Sequence, residues 1–223
     1  MSLLLLLGAS SSVAVNRFAR FNGTTDYATI PSYTLPGSAA TVLIRCKLDL
    51  ATPTDLPKTG IASFTDPDTT HYPYSNGLAY VAFLRNTRVD GIALSGSVDR
   101  ADWHWLICRS DAGNGWELIQ ALDNGTLYSV STQTHEAFAT TQNAAFIGGN
   151  PNGSTLFDGD IDRMLLFNSR LNDGDIQAII AGGNGASPVF RYEFSSNAGG
   201  VFADSSGNGR HATISGSPAI IAE

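Results

Sequence analysis

One loop of the sequence carries the side chains best suited to binding a sugar. Residues 66–76 read DPDTTHYPYSN, and Trp116 occupies another turn. A sugar presents apolar C–H faces ringed by hydroxyl groups, so its site needs an aromatic ring beside amides and carboxylates. This composition predicts a glycan-binding set: His71, Tyr72, Tyr74, Asn76 and Trp116. The alternative is that Tyr72 and Tyr74 pack over the edge of a sheet.

Two other stretches carry oxygen ligands suited to calcium, which binds carboxylates, amides and carbonyls of loops. The candidate ligands are Asp158, Asp160, Asp204 and Asn208. The alternative is that they are ordinary turn residues, because Asp and Asn favour turns. No spacing of Cys and His matches a zinc site, so calcium is the one ion considered and no other cofactor is expected.

A pair of catalytic carboxylates is not recognisable. Glycoside hydrolysis needs two carboxyl groups with separated protonation states. The chain has four glutamates, Glu117, Glu136, Glu193 and Glu223, and none lies at alternate-residue spacing from another acid on a predicted strand. The sequence also lacks a serine nucleophile elbow. We therefore predict that the protein is not an enzyme.

Composition limits the partners and the redox chemistry. The 223 residues include 13 Lys and Arg against 20 Asp and Glu, a net charge of −7. Nucleic-acid binding needs clustered cations, so no nucleic-acid partner is expected. Cys46 and Cys108 each lie in an apolar strand pattern. Buried thiols are the expected state, with a disulfide between neighbouring strands as the alternative.

The N-terminal segment contains an apolar run: Leu3, Leu4, Leu5, Leu6 and Leu7. The run lacks the basic flank of a secretory signal and is too short to span a bilayer. Five adjacent leucines fit no single face of a strand or helix, so a surface outside the segment must cover some of them. We predict that residues 1–12 form an assembly arm that contacts another subunit, and that residues 13–223 form one domain.

Three stretches, taken in order, resemble one family. They read FNGTTDYATIP at 21–31, WHWLIC at 103–108 and GDIDRMLLFNSRL at 159–171. They are similar to the opening strand pair, the central hairpin and the closing signature of laminin-G-like jelly rolls in the concanavalin A-like lectin/glucanase superfamily. The resemblance implies an all-β fold, a jelly-roll sandwich of two antiparallel sheets. It also implies sugar binding as a function and calcium as an ion found among relatives.

Apolar periodicity predicts the elements and the core of this sandwich. Strands are expected at 40–48 and 160–167, where apolar residues recur with period two. Asn172 and Asp175 match a capping box, which predicts one short helix over 172–181 that caps an edge or end of the sandwich. We expect six residues in or near the core between the sheets: Ile44, Trp103, Leu118, Ile161, Leu165 and Phe167.

The C-terminal stretch contains a further resemblance. A predicted strand at 189–194 precedes ADSSGNGRHA at 203–212, which is similar to the segment that usually opens such domains. Either a C-terminal strand pair closes the fold, or the stretch is a degenerate start of a second copy. The first interpretation is favoured because so short a remainder could not fold alone.

Two functions fit these observations. The favoured one is a non-enzymatic structural protein of a bacteriophage particle, a capsid decoration or tail component located in the virion. It would act through contacts with subunits of the same assembly, or with itself, and bind host-surface glycans. This hypothesis rests on the apolar N-terminal run and the missing catalytic set. The alternative is a free extracellular carbohydrate-binding module or lectin, which rests on the resemblance.

Overall fold

The protein is a two-sheet β-sandwich. The computed structural model describes residues 16–37, 39–48, 62–64, 102–111, 113–133, 141–142, 145–149, 156–183 and 185–223. Within these ranges the strands are β1 (Arg17–Asn22), β2 (Tyr27–Ile30), β3 (Tyr33–Thr34), β4 (Ala40–Leu48), β5 (Ala62–Phe64), β6 (His104–Asp111), β7 (Gly115–Leu122), β8 (Leu127–Gln133), β9 (Thr141–Gln142), β10 (Ala145–Ile147), β11 (Asp158–Phe167), β12 (Phe190–Tyr192), β13 (Val201–Phe202), β14 (Ala212–Ser215) and β15 (Ala219–Ala222). One α-helix, α1 (Asp173–Ile180), and a 3₁₀ turn (Ala198–Gly200) complete the described elements.

Antiparallel pairing builds the two sheets. The large sheet has eight strands in the order β15-β1-β11-β4-β6-β7-β8, with β12 paired to β11 beyond the end of β1. The small sheet has five strands in the order β13-β14-β2-β10-β5, and β3 and β9 form a separate pair. This architecture confirms the predicted all-β jelly-roll sandwich. No helix of the described chain is long and apolar enough to cross a membrane.

The core between the sheets follows from the period-two pattern of the strands. In β4, Val42, Ile44 and Cys46 are buried in this inner core, and the strand bounds match the predicted 40–48. The small sheet contributes Ala28, Ile30 and further apolar side chains from its inner face. Ile44 and Ile161 are both fully buried here, as predicted.

A β-bulge in β11 divides its apolar residues between two cores. Ile161 pairs with Cys46 and Arg163 with Arg45, so Asp162 is an extra residue without a partner in the β4 register. The extra residue reverses the alternation, so Ile161 lies between the sheets whereas Leu165 and Phe167 lie on the outer face of the large sheet. The prediction that Leu165 and Phe167 belong to the core between the sheets is therefore wrong.

The helix covers this outer face. Asn172 Oδ1 accepts the N–H of Asp175 at 2.9 Å, and the Asp175 side chain accepts the N–H of Asn172, which confirms the capping box. Ile176 and Ile179 are buried against the outer cluster. Gly182, at φ +87°, ends the helix in a conformation that favours glycine. The helix thus packs on a sheet face and not on an edge or end, because the bulge presents apolar residues there.

The C-terminal stretch closes both sheets. β12 and β15 join the large sheet through β11 and β1, and β13 and β14 join the small sheet through β2. The Glu223 N–H donates to the Asn16 carbonyl at 2.9 Å. These pairings confirm that a C-terminal strand set completes the fold.

The two cysteines are buried thiols, as predicted. Cys46 Sγ lies 3.8 Å from Nε2 of the buried His104. Burial raises the pKa of the Cys46 thiol far above its ordinary value, and the positive charge of Arg45 offsets this only in part. The thiol therefore stays protonated and packs as a small apolar side chain.

Candidate functional site

A half-buried indole lies on the outer face of the large sheet. Trp103 directly precedes β6. The guanidinium carbon of Arg45 is 4.5 Å from its ring centroid, and Lys47 Nζ is 5.2 Å away. Both cations extend from β4 on the side opposite the inner core, where cation–π attraction to the indole stabilises the arrangement.

An aromatic contact with Phe18 of β1 also positions the Trp103 indole. The ring of the fully buried Phe18 meets Trp103 edge-on, with centroids 5.0 Å apart and an interplanar angle of 70°. Lys47 Nζ also lies 5.7 Å from the Phe18 centroid. Trp103 therefore packs against an apolar residue of β1. The sequence predicts Trp103 in or near the core between the sheets, and this prediction is wrong because Trp103 lies on the outer face with Trp105 and Arg45.

Arg45 is anchored by two carboxylates. It donates from Nη1 to Asp162 Oδ2 at 2.7 Å, and from Nε and Nη2 to the two oxygens of Asp123 at 2.9 and 2.5 Å. Asp123, in the β7–β8 turn, also accepts the indole N–H of Trp105 at 3.1 Å. Burial lowers the pKa of Arg45, but these carboxylates more than offset that effect, and the net pKa is raised. Arg45 is thus a permanently charged, fixed support for Trp103.

A second set of ion pairs lies on the β1 side of the indole. Arg20 binds Asp160 with two hydrogen bonds of 2.7 and 2.8 Å. Lys47 Nζ lies 3.8 Å from Asp160 and 3.4 Å from Glu223. Glu223 Oε2 lies 3.5 Å from the indole nitrogen of Trp103. We call the surface formed by Trp103, Arg45, Lys47, Asp123 and Glu223 the Trp103 patch.

The patch combines a partly exposed indole with carboxylates that reach solvent. The side chains of Asp123 and Glu223 are 45% and 48% exposed, whereas those of Asp160 and Asp162 are 3% and 6% exposed. The exposed carboxylates can accept hydrogen bonds from a ligand, because an ionised carboxylate is an acceptor only. The buried carboxylates are bound by arginines and fix the geometry. This arrangement suits binding of a polyhydroxylated molecule with an apolar face.

The predicted glycan-binding residues cannot be compared with this patch. His71, Tyr72, Tyr74 and Asn76 lie outside the described residues. Trp116 belongs to β7, but its side chain is not among those described. The side chain of Leu118, which the sequence predicts in or near the core, is likewise not among those described. The predicted assembly contact also lies outside the described residues: Leu3, Leu4, Leu5, Leu6 and Leu7. The glycan-binding loop and the assembly arm stay predictions.

The candidate calcium ligands are distributed over two parts of the fold. Asp158 and Asp160 lie in β11, where Asp160 is bound by Arg20. Asp204 and Asn208 lie in the loop between β13 and β14, and Asn208 Nδ2 donates to the Pro188 and Val189 carbonyls. No group of three His, Cys, Asp or Glu side chains suited to a metal ion occurs within the described ranges.

Asp204 organises its own loop. Its Oδ1 accepts the N–H groups of Arg191 at 3.0 Å and Ser206 at 2.9 Å. Its Oδ2 accepts the N–H of Arg210 at 2.9 Å. Burial raises the pKa of the Asp204 carboxyl, but these hydrogen bonds outweigh burial and the net pKa is lowered. The carboxylate therefore stabilises the closing segment that joins the two sheets.

The Trp103 patch could have been found from strand alternation. His104 and Leu106 face the small sheet, so Trp103 and Trp105 must face outward. In β4 the same rule places Arg45 and Lys47 outward, and Arg45 pairs across the strands with Trp105 of β6. An aromatic pair over two cations on one sheet face was thus readable from the pattern. The contribution of Glu223 could not be read from the pattern, because it depends on the pairing of β15 with β1.

The chain belongs to the Laminin_G_3 family, described as the concanavalin A-like lectin/glucanases superfamily, whose profile matches residues 22–177. Its fold is similar to that of a protein from Bacteroides ovatus ATCC 8483 provisionally described as carbohydrate-binding. That match has a TM-score of 0.57 and 14% identity, and it covers 93% of this chain and 60% of the other, so this chain spans less than two thirds of that protein.

A second similar structure is the native heptameric SAP-like pentraxin from Limulus polyphemus. It has a TM-score of 0.50 and 13% identity, with 76% of this chain and 84% of the pentraxin covered. At these identities the matches establish the fold alone. No curated protein sequence matches the chain.

Proposed function

We propose that the protein is a non-enzymatic carbohydrate-binding module that binds glycans at the Trp103 patch. The observation that carries this proposal is the half-buried indole beside Arg45 and Lys47, whose ion-pair partners include the exposed carboxylates of Asp123 and Glu223. Family membership and the fold shared with a protein described as carbohydrate-binding support it. An extracellular location is part of the proposal.

The chemistry of the patch is that of a sugar platform. The apolar C–H face of a pyranose would stack on the exposed part of the Trp103 ring, while the hydroxyl groups of the sugar would donate to Asp123 and Glu223. Because Arg45 is fixed by three hydrogen bonds, the indole above it is positioned before the ligand arrives. Such preorganisation reduces the entropy that binding costs.

The ion pairs also support the prediction that the protein has no hydrolase activity. Glu117 is bound by Arg109 and Arg170 at 2.8 and 2.6 Å. Glu193 is bound by Arg163 at 3.0 Å. A carboxylate engaged by arginines in this way has fewer acceptor sites left for a substrate than an unengaged one. Glu136 lies outside the described residues.

The earlier hypothesis of a bacteriophage structural protein is not carried forward. Neither the family nor the two similar structures point to a viral particle. The segment that motivated the hypothesis, residues 1–12, lies outside the described residues. The free module is therefore the function that the observations support better.

A glycan array read with labelled protein tests the proposal, followed by Trp103→Ala and Tyr27→Ala variants. Tyr27 is a matched control, since it is also a half-buried aromatic on an outer face, in this case of the small sheet beside Phe146 with ring centroids 6.3 Å apart. We expect glycan binding that Trp103→Ala removes and Tyr27→Ala retains. Binding that survives Trp103→Ala would contradict the site, and the absence of any glycan ligand would contradict the function.

A further inference from the structure

We infer that the glycan bound at the Trp103 patch is uncharged, and that Asp123 and Glu223 determine this specificity by accepting its hydroxyl groups. The inference rests on the proposed function and adds the class of ligand. Three features of the patch carry it: the pairing of its cations, the charge of its rim and the acceptor capacity of its carboxylates.

The cations of the patch are already neutralised. Arg45 is bound to Asp162 and Asp123. Lys47 lies between Asp160 and Glu223, at 3.8 and 3.4 Å. An acidic sugar could bind these cations only by displacing a carboxylate of the protein. Displacement of the buried Asp162 would leave a buried carboxylate without the arginine that binds it, which is strongly unfavourable.

The rim of the patch repels anions. Asp102, next to Trp103 in the chain, is exposed, and the side chains of Asp123 and Glu223, which pair with Arg45 and Lys47, reach solvent. Beyond the patch, the whole chain carries a net charge of −7. A uronate, sialic acid or sulfate would therefore meet like charges as it approached the indole. Like-charge contacts of this kind discriminate strongly against the wrong partner.

The carboxylates retain room for hydroxyl donors. A carboxylate offers about four acceptor sites. Asp123 accepts three hydrogen bonds, two from Arg45 and one from Trp105. The contacts of Glu223 within the described residues are one each with Lys47 and Trp103. About one acceptor site on Asp123 and two on Glu223 therefore face solvent, and neutral sugar hydroxyls are donors that can use them.

The test uses the full chain and pairs of oligosaccharides that share a core, one neutral and one carrying a uronate, sialic acid or sulfate group. Affinities are measured by calorimetry at about 50 and 500 mM salt, a range over which screening of exposed charges becomes strong. We expect the neutral member to bind at least about 10-fold more tightly, with an affinity that changes little with salt.

The variant Glu223→Gln should weaken binding of the neutral oligosaccharide by about 10-fold, because an amide oxygen is a weaker acceptor than a carboxylate. The control is Glu193→Gln, which changes a partly exposed carboxylate of another ion pair and should leave this binding unchanged. Thermal unfolding of both variants checks that they fold. Tighter, salt-sensitive binding of the acidic members would overturn the inference and leave the proposed function standing. No binding of either class would overturn both.

Discussion

Arg45 donates a 2.7 Å hydrogen bond to Asp162 where β11 carries one residue more than β4 opposite it. This contact links the two features that define the outer face of the large sheet. The bulge turns Leu165 and Phe167 toward the helix, and the guanidinium that binds the bulge residue supports Trp103. The same ion pair therefore contributes to the packing of the helix and to the geometry of the patch.

Replacing Asp162 with Ala should destabilise the protein by about 1–3 kcal/mol, because Arg45 loses one partner while largely buried. Burial raises the pKa of Asp162, and Arg45 offsets this only in part, so the charge itself is costly at that position. Asp162→Asn, which is neutral and still accepts from Arg45, should therefore lie within about 1 kcal/mol of the wild type. Urea unfolding measures both. An equal decrease in the free energy of unfolding in the two variants would show that the hydrogen bond to Arg45 does not account for the stabilisation by Asp162.

The inner core should be sensitive at Ile161, which is fully buried between the sheets. Ile161→Ala should lower the free energy of unfolding by about 2–5 kcal/mol, since it removes buried methyl groups and leaves a cavity. Ile180→Ala is the comparison, because Ile180 is only partly buried against the outer cluster. This variant should lower the free energy of unfolding by less than Ile161→Ala does. Denaturant unfolding with similar m-values for both variants checks this. A larger loss at Ile180 would contradict the division between the two cores.

The Asp204 loop should make stability depend on pH. The folded pKa of Asp204 lies below its ordinary value of 3.8, so the stability that its carboxylate contributes is present above about pH 4. That contribution is lost as pH falls from there through the folded pKa. Asp204→Asn should be less stable than the wild type at pH 7, and the difference should shrink below pH 4. A difference between the two proteins that stays constant from pH 7 to pH 3 would refute this role.

Calcium should not be required for stability. Asp160 and Asp204 already accept hydrogen bonds from the protein, so they are poorly placed to bind an ion as well. Addition of EDTA should lower the thermal midpoint by less than about 5 °C, a shift that corresponds to one or two kcal/mol at this size. A larger decrease that calcium reverses and magnesium does not would identify a stabilising ion, to be sought first at Asp158 and Asp204.

Local patterns predicted the elements of this fold well. The alternation in β4 and the capping box at Asn172 are short-range features, and the structure confirms both of them. The family signature in residues 159–171 predicted how the strands assemble. Local sequence thus determines where strands and helix occur.

The wrong predictions concern which core an apolar side chain joins, which contacts with residues distant in the sequence help to determine. The bulge residue Asp162 is bound by Arg45, which is 117 residues away in the chain, and the bulge itself is defined by the pairing with β4. No local pattern therefore shows that Leu165 and Phe167 face the helix. For Trp103 the local pattern was sufficient, since strand alternation in β6 places it on the outer face. Only its contacts there, with Phe18, Arg45 and Lys47, depend on two other strands.

The central claim is that Trp103 is the sugar-binding surface, and calorimetric titration of a glycan identified on the array tests it most directly. We predict that Trp103→Ala raises the Kd by about 10- to 100-fold, because stacking on the ring is lost, and that Trp103→Phe restores part of the affinity. Both variants should keep the wild-type circular dichroism spectrum. An unchanged Kd in a correctly folded Trp103→Ala protein would contradict the account and place glycan binding elsewhere in the chain.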